Sequence, residues 1–269
     1  MKFICFVIIA IFFWTGCNSG RFDDSGYRQR HIAVFDEASG ICYASQDDTL
    51  YAVGDNGYIY HYDKSGHLLD WHDFSDHPAH DFEGISCHNE AGMLYVAAEG
   101  IDNLLVIDRQ YRIVREINID RKDENGEKIL VKDPEYGIEG VTTTEDRLYV
   151  VNQSYNQYPD SDPSALIALT DRGKHAVITE FMPMEREDLA GLSYHDGILY
   201  ILSDSEKKIL RYDPVNESIL SEVSVDDIDS DLKDLAVEGI AFDNEGNLFL
   251  TVDDKDDQSG IYRYPDPFR

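Results

Sequence analysis

From residue 31 onward the hydrophobic pattern is a series of short runs, not helical stripes. Runs rich in Tyr, Val, Ile, Leu and Phe are separated by turn residues such as Asn56-Gly57, Ser65-Gly66 and Asn244-Glu245-Gly246. They are too short for helices and have the composition of half-buried strands. One unit recurs five times. Its first strand carries a glycine motif: Glu37-Ala38-Ser39-Gly40-Ile41, Asp81-Phe82-Glu83-Gly84-Ile85, Gly137-Ile138-Glu139-Gly140-Val141, Asp188-Leu189-Ala190-Gly191-Leu192 and Val237-Glu238-Gly239-Ile240. A second strand follows each time, at Leu50-Tyr51, Leu94-Tyr95, Leu148-Tyr149, Leu199-Tyr200 and Leu248-Phe249, and then a third. The glycines lie 44 to 56 residues apart. Four strands per repeat at about 40–50 residues is the spacing of propeller blades. A sandwich would not repeat one motif five times, and a solenoid would need capping repeats.

The expected fold is therefore all-β: a five-bladed β-propeller of four-stranded antiparallel blades. The fifth unit runs out near Tyr264, and an extra run, His31-Ile32-Ala33-Val34-Phe35, precedes the first. That N-terminal strand can complete the last blade and close the ring, leaving no unpaired seam. A sixth blade would have to hide in 119–136, which reads as a polar insertion with Asp120, Arg121, Lys122, Asp123, Glu124 and Asn125 in a row. Strand alternation places the short turns on one end, called the lower face. The longest loops (74–82, 119–136, 153–163 and 226–236) fall on the upper face, where function is expected.

The N-terminus follows another pattern. Lys2 precedes an apolar run, Phe3 to Phe13, too short to span a bilayer and of signal-peptide length. Thr15-Gly16-Cys17 follows, as at a lipoprotein processing site, although Trp14 stands where such sites carry Leu. The expected division is signal peptide 1–16, lipidated tether 17–29 starting at Cys17, and a single propeller domain 30–269. The protein is then a monomer in the bacterial cell envelope, held to the membrane by its lipid and facing the periplasm or the exterior. Cys42 and Cys87 occupy adjacent offsets of equivalent strands, so they should point to opposite sheet faces and stay unbonded.

Charge narrows the partners. With 53 acidic against 23 basic residues the net charge is −30. Such a surface disfavours nucleic acid and favours cations. The residue before each repeat glycine starts the innermost strand, and three of the five are glutamate: Glu83, Glu139 and Glu238. The second strands end on the same side with Asp55, Glu99, Gln153, Asp204 and Asp253, and Asn152 sits one position earlier in the third unit. Confined carboxylates must either take up protons or share a cation. Oxygen ligands of this kind suit Ca²⁺, with Mg²⁺ or Mn²⁺ also compatible. The alternative is plain structural hydrogen bonding.

Other chemistry is thinner. His77 and His80 lie on an upper-face loop close in sequence to Asp81 and Glu83 and could contact a ligand or metal. Tyr155 and Tyr158 in the 153–163 loop suit ligand or partner contact, whereas Tyr51, Tyr95, Tyr149 and Tyr200 read as packing residues. No nucleophile elbow, P-loop or dinucleotide fingerprint occurs.

On the five glycine motifs, and on Leu199-Tyr200-Ile201-Leu202-Ser203-Asp204, the chain resembles the SdiA-regulated family of bacterial propellers, over about residues 30–265. That group is related to phytase-like esterase propellers. The resemblance implies an envelope location and a calcium-binding propeller, and it implies no established reaction. The expected function is a ligand- or protein-binding module that carries Ca²⁺ at the channel mouth, with a small molecule or envelope protein on the upper face. The alternative is a metal-dependent hydrolase using the same carboxylates, with Glu139 as candidate base.

Overall fold

A computed structural model of the chain describes residues 30–131, 136–254 and 256–269, with only the backbone at Asp256. Cys17, the signal segment and nearly all of the tether lie outside the described residues.

The described chain is all-β and propeller-like. Its strands form four-strand groups in sequence order. The first group is β2 (Ala38–Ala44), β3 (Thr49–Gly54), β4 (Tyr58–Asp63) and β5 (Leu68–Asp73). Then come β6 (Phe82–His88), β7 (Met93–Ala98), β8 (Asn103–Asp108) and β9 (Ile113–Asp123). The third group is β10 (Ile138–Thr143), β11 (Leu148–Asn152), β12 (Ala165–Asp171) and β13 (His175–Pro183). The fourth is β14 (Leu189–His195), β15 (Ile198–Ser203), β16 (Lys208–Asp213) and β17 (Ser218–Ser224). The last holds β18 (Ala236–Phe242), β19 (Asn247–Asp253) and β20 (Gly260–Pro265), with β1 (His31–Val34) paired antiparallel on the outer side of β20.

The first strands touch in the cyclic order β2, β6, β10, β14, β18 and back to β2. Between each two neighbouring groups lies an apolar core. Val53, Ile59, Phe82 and Leu105 fill one gap, and Ala241, Phe249, Ile41 and Leu50 fill the gap that joins last group to first. Tyr51, Tyr149 and Tyr200 are buried in these seams, and Tyr95 packs against one.

The repeat glycines mark the tightest point of the ring. A Cβ on Gly40 would sit 2.8 Å from the Cα of Gly84, and one on Gly191 would sit 2.7 Å from the carbonyl oxygen of Glu238. Backbone meets backbone there, so a side chain would force the strands apart. The pairing of first with second strand also shifts register around this level in every group. A bulge of this kind re-aims the side chain it carries. Ser39, Glu83, Glu139, Ala190 and Glu238 occupy that position.

Two expectations are corrected. Cys42 and Cys87 form a disulfide, with Cα atoms 5.6 Å apart. They do point to opposite faces of their own sheets. Stacked sheets, however, present opposite faces to one another, so the two thiols meet across the gap between β2 and β6. The polar stretch from 119 is likewise not all insertion: β9 runs on to Asp123 and pairs in parallel with β13. Ile117, Ile119 and Arg121 alternate inward. Arg121 continues the buried stripe because carboxylates neutralise it: Nε donates to Asp102 Oδ2 (2.7 Å) and Nη1 to Asp162 Oδ1 (3.2 Å).

Candidate metal centre

The upper mouth is built by the bulged starts of the first strands and the ends of the second strands. One backbone bond recurs to stack them: Asp55 N donates to Glu37 O (3.2 Å), Glu99 N to Asp81 O (3.0 Å), Gln153 N to Gly137 O (2.9 Å) and Asp204 N to Asp188 O (3.0 Å). The end of each second strand is thereby fixed beside the approach to a bulge. Below them the glycine ring closes the axis to a cavity of about 10 Å³, bordered by Glu83 and Glu238. That is room for about one water.

Three carboxylates converge most closely. Asp81, Glu83 and Glu99 each offer an oxygen within 4.8 Å of the other two. Two oxygens bound to one Ca²⁺ at about 2.3–2.6 Å can lie up to about 5 Å apart, so this spacing fits a shared ion. Glu139, almost fully buried, shares a hydrogen bond with Glu99. Burial, then the charges of Asp55, Glu99, Asp81 and Glu238, holds the Glu83 carboxyl well above the usual range. Burial, then Glu83, Glu99 and Glu238, does the same to Glu139. Glu238 is pushed up to about 8 by burial and by Asp204, Asp188, Asp55 and Asp253. Asp55 rises to about 6 through burial and the charges of Asp253 and Asp81, opposed by a hydrogen bond from the Ser39 hydroxyl. Burial and Asp254 raise Asp253. The charged neighbours that set these values are all carboxylates.

The remaining expected residues are placed differently. Asn152 is fully buried with its amide fully engaged: Nδ2 donates to Asp162 Oδ1 (3.1 Å) and Pro163 O (3.0 Å), and Oδ1 accepts from Arg121 Nη1 (3.0 Å). Asp204 pairs with Lys207 Nζ and accepts from Val237 N (2.6 Å), so its charge reaches Glu238 from the flank. His77 and His80 fold onto their own loop. His77 Nδ1 accepts from Ala79 N (3.1 Å), and His80 Nδ1 bonds the carbonyl of His77 (2.9 Å). Neither belongs to the carboxylate group found among the described residues. Tyr155 leans on the mouth wall, donating from its hydroxyl to Asp188 Oδ2 (3.0 Å). Tyr158 is 65 % exposed, with its ring near Phe181.

Sequence reasoning left two groups out. Asp81 stands two residues before a repeat glutamate, and only the recurrent backbone bond sets it beside Glu99. Asp188 accepts from Gln153 Nε2 (2.7 Å), Tyr155 and Ser205 N (3.1 Å), tying the 153–163 loop to the fourth group. The signal available was the acidic residue at the head of the motif, Glu37, Asp81 and Asp188 alike.

The geometry defines a β-propeller with an acidic axial mouth. The chain belongs to the SdiA-regulated family, whose model matches residues 27–253. No curated protein matches the chain in sequence. Among solved structures it is similar to a glutaminyl cyclase of Myxococcus xanthus, at 12% identity and a TM-score of 0.57, covering 88% of this chain and 93% of that one. It is also similar to a nidogen/laminin complex, at 12% identity and a TM-score of 0.53, covering 84% and 82%. A protein of unknown function from Bacteroides caccae aligns at 9% identity and a TM-score of 0.52, covering 79% and 69%. At these identities the likeness shows the fold alone.

Proposed function

We propose that the chain is a five-bladed propeller lipoprotein of the cell envelope, held by acylated Cys17, that binds Ca²⁺ in its upper mouth and serves there as a ligand- or protein-binding module. The observation that carries the reading is the Asp81–Glu83–Glu99 triad, which lies at ion-sharing distances while the charges that act most on Glu83 are other carboxylates. Carboxylates cannot all ionise in such a site without a cation. Asp81, Glu83 and Glu99 would hold the ion, with Glu139 reaching it through Glu99. The blade count rests on the five first strands in cyclic contact. The disulfide favours an oxidising compartment such as the envelope. Bound Ca²⁺ would fix the start of β6 against the end of β7, beside the 153–163 loop with Tyr155 and Tyr158.

Elemental analysis of the purified protein, with melting followed before and after EDTA, tests the reading. Bound Ca²⁺ and a melting temperature that falls with EDTA and recovers with Ca²⁺ are expected. An ion at 100 times its Kd adds about 2.7 kcal/mol. Metal-free protein whose melting ignores both EDTA and Ca²⁺ would remove the reading.

A further inference from the structure

A second opening of the axis lies at the other end. Where the first strands finish, a cavity of about 330 Å³ opens on the lower face, within the size range of small-molecule sites. It is bordered by the ends of β2, β6, β10, β14 and β18 and by the turns after them. Its wall is fixed by links between neighbouring first strands. The Cys42–Cys87 disulfide joins β2 to β6. Thr143 N donates to Ser86 Oγ (3.0 Å), joining β6 to β10, and Tyr194 N donates to Thr142 Oγ1 (3.1 Å), joining β10 to β14. A wall held in this way needs little rearrangement to accept a ligand.

The lining chemistry narrows the ligand. It contains no lysine or arginine among the described residues, so a phosphate or carboxylate group would find no permanent counter-charge, only the histidines His88 and His195. Glu90, Glu145 and Asp196 come from equivalent turns of three successive groups and line the same cavity. His195 Nε2 lies 3.5 Å from Asp196, and no lysine or arginine among the described residues pairs with Glu90 or Glu145. Inside the rim is Tyr194, 38 % exposed. On the other side Lys64 already lies over the ring of Tyr43, 5.8 Å from its centroid. Carboxylates around an accessible aromatic face are the complement of an ammonium group. Hydroxyls and amides such as Ser193 and Asn89 would serve its polar substituents.

We propose that the lower mouth binds a small organic cation, a primary or quaternary amine, held by Glu90, Glu145 and Asp196 against Tyr194. The site is separate from the upper carboxylates and does not depend on them. Calorimetric titration with spermidine, choline and glucose, in buffer saturated with Ca²⁺, tests it. Choline or spermidine should bind and glucose should not. The exposed pair Glu145→Gln with Asp196→Asn, and separately Tyr194→Ala, should each weaken amine binding about tenfold, with melting temperatures unchanged as evidence of intact folding. No amine binding, glucose binding as tight as either amine, or amine affinity indifferent to both variants would overturn the proposal.

Discussion

The two mouths of the axis are opposite ends of the same first strands, and they solve the closing of a ring in different ways. At the upper mouth each strand bulges, and side chains from different groups are driven together. Glu139 ends up buried and Glu83 and Glu238 half-buried, and the three repel one another. At the lower mouth the strands bond to one another through side chains, by the Cys42–Cys87 disulfide and the Ser86 and Thr142 hydroxyls. Between them the glycine ring leaves room for about one water. One end is braced by covalent and neutral links, while the other holds concentrated charge of one sign. Carboxylates crowded beside the glycine ring are a poor brace, and the divalent cation proposed above would offset their repulsion.

The waist gives the largest expected effect. Gly191→Val would drive a branched side chain into the backbone of Glu238, and the loss should exceed about 4 kcal/mol, with no cooperative unfolding transition left at 37 °C. Next comes the lower brace. Cys42→Ala with Cys87→Ala, or reduction of the native protein, removes a crosslink between residues 45 apart in sequence and should cost about 2–5 kcal/mol by denaturant unfolding. Ca²⁺ affinity at the upper mouth should change less than threefold, because the brace lies at the other end.

A smaller effect sharpens the upper side. Burial and neighbouring carboxylates push Glu238 up to about 8 and Asp55 up to about 6, both above the ordinary carboxylate range. The folded state therefore holds protons that the unfolded chain releases from about pH 4 upward. The corresponding stability is complete below that point and is lost as pH rises through 6 and then 8. Ion-free protein should melt lower at pH 8 than at pH 5, and Glu238→Gln should remove part of that slope, Glu83 and Glu139 supplying the rest together with Asp55. Bound Ca²⁺ favours the ionised carboxylates, so the loaded protein should show a flat or rising profile over the same range. A slope of the same size in Glu238→Gln would place its origin elsewhere.

The strands, the glycine ring and the placing of His31 to Val34 beside the last group were legible in the sequence because they repeat. A motif seen five times averages out the ambiguity of any single short run. What escaped depends on relations between neighbouring sheets. The disulfide required knowing that residues facing apart within their own sheets face together across a gap. β9 was cut short because Arg121 stands at an inward position where a strand pattern expects an apolar residue, and its partners Asp102 and Asp162 are distant in sequence. Asn152 looked like a mouth ligand by position alone, yet its amide belongs to the Arg121 network. Glu83, Glu139 and Glu238 were legible as a set, since they share one repeat position. Asp81 joined them only through the backbone bond that fixes Glu99. The lower mouth carries no sequence signal of its own, because Glu90, Glu145 and Asp196 sit in separate short turns that only the closed ring brings to one cavity.

The central claim is that the upper carboxylates bind a divalent cation as a unit. Its most direct test is calorimetric titration of ion-stripped protein with Ca²⁺, comparing the native chain with Glu83→Gln and with the lower-rim pair Glu145→Gln/Asp196→Asn. The account predicts one saturable Ca²⁺ site that weakens at least tenfold in Glu83→Gln, about 1.4 kcal/mol or more, and is unchanged by the lower-rim pair. Ca²⁺ binding that survives Glu83→Gln intact, or no saturable binding in the native protein, would contradict it.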